Sequence, residues 1–66
     1  MKGVIKNVSD KGFAFIGAEG LQRDVFLHAS QLDNSYPFAN LQKGDVVEFE
    51  IFENNKGLNA SNCKVL

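Results

Sequence analysis

The chain has no tryptophan, a single cysteine, a single histidine and a single proline among its 66 residues. Cys63 alone excludes an internal disulfide, and with only His28 to join it a tetrahedral zinc site cannot be assembled from this chain. Cys63 lies in an apolar-alternating C-terminal segment, where a buried and inert thiol is expected. No apolar run approaches the roughly 18 residues of a membrane span, and the N-terminus lacks the hydrophobic core of a signal peptide. A cytoplasmic protein with no membrane partner is therefore expected. Positive charge is also scarce. Seven Lys and Arg against eight Asp and Glu give a formal net charge of −1, which argues against the many phosphate contacts of a long duplex-DNA footprint. It leaves single strands open, because stacking can carry much of their affinity and only local charge matters there.

Catalytic signals are missing as well. Gly17-Ala18-Glu19-Gly20 reads as a turn, not a phosphate loop. His28 has no Ser, Cys or carboxylate beside it in a recognised catalytic spacing, so neither an enzyme nor a bound cofactor is expected. No repeat, linker or low-complexity stretch divides the chain, and residues 1–66 read as one domain. A chain this short buries only about 60% of its unfolded surface, so its stability should be marginal.

Strand-like alternation is what the chain does have. It runs through Val4, Ile5 and Val8, then 13 to 17, 24 to 28, 46 to 53 and 58 to 65. Ser9-Asp10, Glu19-Gly20, Lys43-Gly44-Asp45 and Asn54-Asn55-Lys56-Gly57 punctuate these runs as turns. Five short strands with tight turns predict an all-β fold, a small closed or nearly closed antiparallel barrel.

The most informative stretch is Lys11-Gly12-Phe13-Ala14-Phe15-Ile16, followed by Val25-Phe26-Leu27-His28. In extended strands Phe13, Phe15, Phe26 and His28 share one face, and Ala14, Ile16, Val25 and Leu27 the other. A one-residue slip would invert every side chain at once, so two coherent arrangements compete. The inverse one places His28 in the core, where an imidazole is costly without a partner. The arrangement with aliphatics inward and rings outward is the one expected. It leaves three phenyl rings and an imidazole on the surface near Lys6 and Lys11, a platform on which unpaired bases can stack while ammonium groups neutralise phosphates.

The fourth strand alternates Val47, Phe49 and Ile51 with Glu48 and Glu50, predicting a half-buried strand with an acidic, solvated back. That acidic face turns negative charge away from Lys6 and Lys11. Between the third and fourth strands the chain runs from Ala29 to Leu41, where Ala29 or Ser30 can begin one short helical turn and Pro37 forbids a long helix. Leu32 and Leu41 are expected to pin the loop to the core. Tyr36 and Phe38 either extend the stacking surface or cap the barrel.

These residues resemble the bacterial cold-shock domain family. Lys11-Gly12-Phe13-Ala14-Phe15-Ile16 is similar to its first ribonucleoprotein motif and Val25-Phe26-Leu27-His28 to its second. The likeness continues in Lys2-Gly3-Val4-Ile5-Lys6, in Asp24, in Leu41 to Ile51 and in Asn55 to Asn62, covering essentially the whole chain. The resemblance implies a five-stranded OB-fold barrel binding single-stranded RNA and DNA, often pyrimidine-rich, as an RNA chaperone or a regulator of transcription and translation. By position it makes Phe13, Phe15, Phe26 and His28 the stacking residues and Phe38 a further base contact. Lys6, Lys11 and Lys56 match basic positions near phosphates, and Asp24 one that accepts a hydrogen bond from a base or orients a neighbour.

Departures from the family pattern are specific. Lys6-Asn7-Val8-Ser9 stands where the family usually reads Lys-Trp-Phe-Asn, the segment up to Lys11 is one residue shorter, and Ala29 replaces a Phe common after the histidine. Ala14, usually Gly in the family, is expected to point inward. Each stacked base is worth about 1–3 kcal/mol, so two or three missing rings weaken binding by orders of magnitude unless something compensates. Tyr36 is the visible substitute. The alternative function is an OB-fold interaction module that kept the barrel and lost most nucleic-acid binding. A monomer is the default, with a domain-swapped dimer conceivable for a small barrel with a long central loop.

Overall fold

The computed structural model describes Met1–Leu66. Five strands form in chain order: β1 (Lys2–Ser9), β2 (Phe13–Ala18), β3 (Val25–His28), β4 (Val46–Asn54) and β5 (Gly57–Val65). They close into a barrel in the order β1-β2-β3-β5-β4. Every seam is antiparallel except the closing one, where β3 and β5 meet in parallel through Phe26 and Asn59. Parallel neighbours need a long crossover, and the segment between β3 and β4 together with β4 itself provides it.

The inward set is the aliphatic one. Ile5, Ala14, Ile16, Val25, Leu27, Val47 and Phe49 are almost wholly buried, joined by Leu32, Leu41, Ala60 and Cys63. Phe49 is the one aromatic ring fully inside. Gly3 lets β1 pass over this core: a Cβ there would stand 2.6 Å from Ile16 Cγ2 and 3.1 Å from the Phe49 ring. On β4, Val47 and Phe49 are buried and Ile51 half-buried, while Glu48 and Glu50 are exposed as the alternation requires. The acidic back is not uniform, because Glu48 pairs in register with Lys2 on one side and Lys64 on the other.

Two irregularities shape the strands. In β1 the register skips Lys6, so that Ile5 faces Ile16 and Asn7 faces Phe15, and both Lys6 and Asn7 are left exposed. In β5 an extra residue lies opposite β4 between the pairs Glu48–Lys64 and Glu50–Ser61. Asn62 takes a left-handed φ of 53° there, which its short polar side chain tolerates. Its Nδ2 donates to Glu50 Oε2 at 3.1 Å. The bulge keeps both Ala60 and Cys63 pointing inward.

The long connection contains two single 3₁₀ turns, Ala29–Gln31 and Phe38–Asn40, the second starting directly after Pro37. Leu32 and Leu41 are buried and anchor it as expected. Asp33 N–H donates to Cys63 O at 2.8 Å. Ser35 N–H donates to Asp33 Oδ1 at 3.0 Å, and this bond holds the Asp33 carboxyl below the usual carboxylate range, helped by the Ser35 side chain. Cys63 is 1% exposed, and burial pushes its thiol up to about 11.

Candidate nucleic-acid interface

Phe13, Phe15 and Phe26 stand on the outer face of β2 and β3, each half-buried by the others. Phe13 and Phe26 are stacked, with centroids 5.6 Å apart and planes at 28°. Phe15 meets Phe13 edge-on at 5.7 Å and Phe26 at 5.9 Å. Such contacts stabilise a ring pair by about 0.5–1.5 kcal/mol beyond area burial, which helps hold the three rings in one geometry while their outer surfaces stay open. His28 pairs across the strands with Phe13 and is exposed. Its Nδ1 accepts from Ser30 N–H at 3.1 Å and lies 2.8 Å from Ser30 Oγ. This cap fixes the ring at the end of β3 and leaves Nε2 as the nitrogen available to a ligand.

The cations are arranged unequally. The Lys6 Nζ donates to Asp24 Oδ1 at 3.0 Å, a contact open to solvent. To make it, the Lys6 stem crosses the outer face of β2 over Gly17, where a Cβ would come within 2.6 Å of Lys6 Cδ. Asp24 is thus the partner of the Lys6 ammonium. Lys11 sits on the β1–β2 turn, its backbone N–H donating to Ser9 Oγ at 3.1 Å, and Lys56 sits on the β4–β5 turn, its N–H donating to Asn54 Oδ1 at 2.8 Å. Neither ammonium group has a carboxylate partner.

Two grooves flank the rings. One, of about 450 Å³, opens where β3 and β5 diverge and is lined by Phe15, Arg23, Asp24, Phe26 and residues Lys56 to Asn59. The other, of about 460 Å³, runs between Val8, Ser9, Asp10 and Gly12 on one side and Phe38 and Ala39 on the other. Phe38 thus packs partly on the core and also lines a groove. Tyr36 is half-buried against the core, and its hydroxyl donates to Asn40 O at 3.2 Å. Its ring takes no part in the three-ring cluster.

Three residues of this surface are absent from the sequence reading. Arg23 lines the first groove and donates from Nη2 to Glu53 Oε2 at 3.2 Å. Asn59 reaches the platform only through the parallel seam with Phe26. Phe52, 47% exposed, pairs with Asn59 from the far side. The alternation Val47, Phe49, Ile51 already places Phe52 outward, but its alignment with Phe26 depends on a long-range pairing.

A closed five-stranded barrel with a parallel closing seam, bearing an aromatic cluster and nearby lysines on its outer face, defines an OB-fold of the kind that takes nucleic acid. The sequence matches the family described as the 'Cold-shock' DNA-binding domain over residues 1–66, and the chain belongs to that family. It is similar to a cold shock-like protein of Aquifex aeolicus, 42% identical over 98% of this chain and 93% of the relative. A cold shock-like protein CspA of Stigmatella aurantiaca is 44% identical, over 94% of this chain and 91% of that protein. Among solved structures, drosophila Unr CSD456 superposes with a TM-score of 0.80 at 27% identity. That match covers 98% of this chain, which spans only 26% of that structure's chain. No helix is long and apolar enough to cross a membrane.

Proposed function

We propose that this chain binds unpaired RNA or DNA, pyrimidine-rich stretches above others, and acts as an RNA chaperone or a regulator of transcription or translation. One observation carries the reading: three mutually packed rings, Phe13, Phe15 and Phe26, remain half exposed on β2 and β3, whose aliphatic side chains Ala14, Ile16, Val25 and Leu27 are turned inward. Bases stack on these rings and on His28, and Phe38 offers a further contact at the second groove. Lys11 and Lys56 neutralise phosphates. Lys6 serves the same end once a phosphate competes with Asp24, whose carboxylate is then free to accept from a base. Tyr36 acts by shaping the loop that carries Phe38. Binding to the open strand shifts a weak hairpin toward its melted form by mass action, with no nucleotide hydrolysis.

Fluorescence anisotropy of labelled oligothymidine, oligouridine and a matched duplex tests this directly. Binding to the single strands in the micromolar range or tighter, with little to the duplex, is the expected result. No binding to any strand would overturn it and favour the interaction module, for which Asn7, Val8 and Ala29, standing where the family carries rings, are the motive.

A further inference from the structure

Following the strand register across the barrel places five residues in one outward row: Asn7 on β1, Phe15 on β2, Phe26 on β3, Asn59 on β5 and Phe52 on β4. The row has an amide at the β1 end and a ring at the β4 end. Neighbouring strands are about 4.8 Å apart, so Phe52 lies two strands, roughly 10 Å, beyond Phe26. Asn59 fills the interval without a ring, its Nδ2 donating to Gly57 O at 3.1 Å and its Oδ1 left free to accept. Phe52 has no ring partner and is 47% exposed, more than the rings of the cluster.

Charge along the row is graded. Glu53, the next residue along β4 after Phe52, is paired with Arg23 at 3.2 Å, which ties the β2–β3 loop to the β4–β5 hairpin. Lys56 stands on the same hairpin. Beyond Phe52, Glu50 is exposed on the same outward face of β4, and its carboxylate disfavours a further phosphate.

Resting on the nucleic-acid reading above, we infer that Phe52 is an additional, terminal stacking site for a nucleobase, so that a bound single strand leaves the Phe13–Phe15–Phe26 platform across Asn59 and ends on β4. The strand's footprint is displaced from β1, where Asn7 offers no ring, toward β4. A lone exposed phenylalanine on a protein surface is ordinary; its place in register with two platform rings, beside a neutralised carboxylate, is what singles out Phe52.

The test compares Phe52→Ala, Phe52→Leu and Phe52→Tyr with the unaltered protein on oligothymidines of about 4 and about 9 nucleotides, lengths within the site sizes of single OB-folds. Phe52→Ala is expected to bind the short strand unchanged and the long one about five-fold or more weakly, the lower end of what removing a stacking ring costs. Phe52→Tyr should keep the long-strand affinity and Phe52→Leu should not. Equal affinity of Phe52→Ala and the unaltered protein for the long strand, or an equal loss on both lengths, would overturn the inference and leave the platform standing. Unaltered protein that binds neither length would remove the platform as well. Sedimentation without oligonucleotide adds a further check. Concentration-dependent association abolished by Phe52→Ala would assign the ring to a second copy of the chain instead.

Discussion

Phe15 and Phe49 are the same residue type in strands of the same barrel, yet they sit on opposite sides of it and should fail differently. Removing the buried Phe49 ring costs about 3–5 kcal/mol, a large part of the roughly 5–15 kcal/mol that holds an ordinary domain together, so Phe49→Ala should be largely unfolded in a urea titration. Phe15→Ala and Phe26→Ala give up only partly exposed rings, and both should unfold cooperatively near the original midpoint while losing oligonucleotide affinity by anisotropy. Cys63 offers a second residue-scale measurement. Its folded-state pKa of about 11 lies above the ordinary value of 9.0, so the neutral thiol favours the fold below pH 9 and that contribution disappears as pH rises through 11. At about 1.4 kcal/mol per unit the loss is on the order of 3 kcal/mol. Urea midpoints measured between pH 8 and pH 11 should fall more steeply for the unaltered protein than for Cys63→Ala, which starts lower because of its cavity but lacks this titration.

The irregularities of β1 and β5 are where element geometry departs from simple alternation. Asn62 holds the left-handed conformation that the β5 bulge requires. Asn62→Val should therefore destabilise by about 1–2 kcal/mol, with Asn62→Gly close to neutral in the same urea series despite losing the bond to Glu50. On β1 the extra residue is Lys6, whose stem crosses Gly17 where a Cβ would force it to shift. Gly17→Val should displace Lys6 from Asp24 and lower oligonucleotide affinity with less effect on folding. The alternating strands made the inward and outward sets readable from sequence: Ala14, Ile16, Val25 and Leu27 inside, Phe13, Phe15, Phe26 and His28 outside. The two bulges were not readable, because each depends on the pairing partner. The crossing of Lys6 to Asp24 joins β1 to the β2–β3 loop across 18 residues of chain, and Arg23, a loop residue, has a place in the site only because the hairpin carrying Glu53 folds back beside it.

For the molecule as a whole, a net charge of −1 sets a limit on how binding should respond to salt. With Lys6, Lys11 and Lys56 as the proposed phosphate contacts and Arg23 of the same groove held by Glu53, about three phosphates can be neutralised, and at roughly −0.7 per phosphate for single strands the slope of log affinity against log salt should be close to −2. A slope several times steeper would show that other cations take part. Barrel class, the inward core and the platform were all legible from local pattern, whereas the row that runs from Phe15 to Phe52 was not, since it exists only after β3 meets β5. That parallel seam has a temporal consequence. Its partners, Phe26 and Asn59, are half the chain apart, and contacts of such sequence separation form late and slowly. During synthesis β1, β2 and β3 can meander together as soon as they emerge from the ribosome, but β3 keeps an open edge until the last strand arrives. The surface proposed to hold a nucleic-acid strand thus gains its far half only once β5 has emerged and paired with β3.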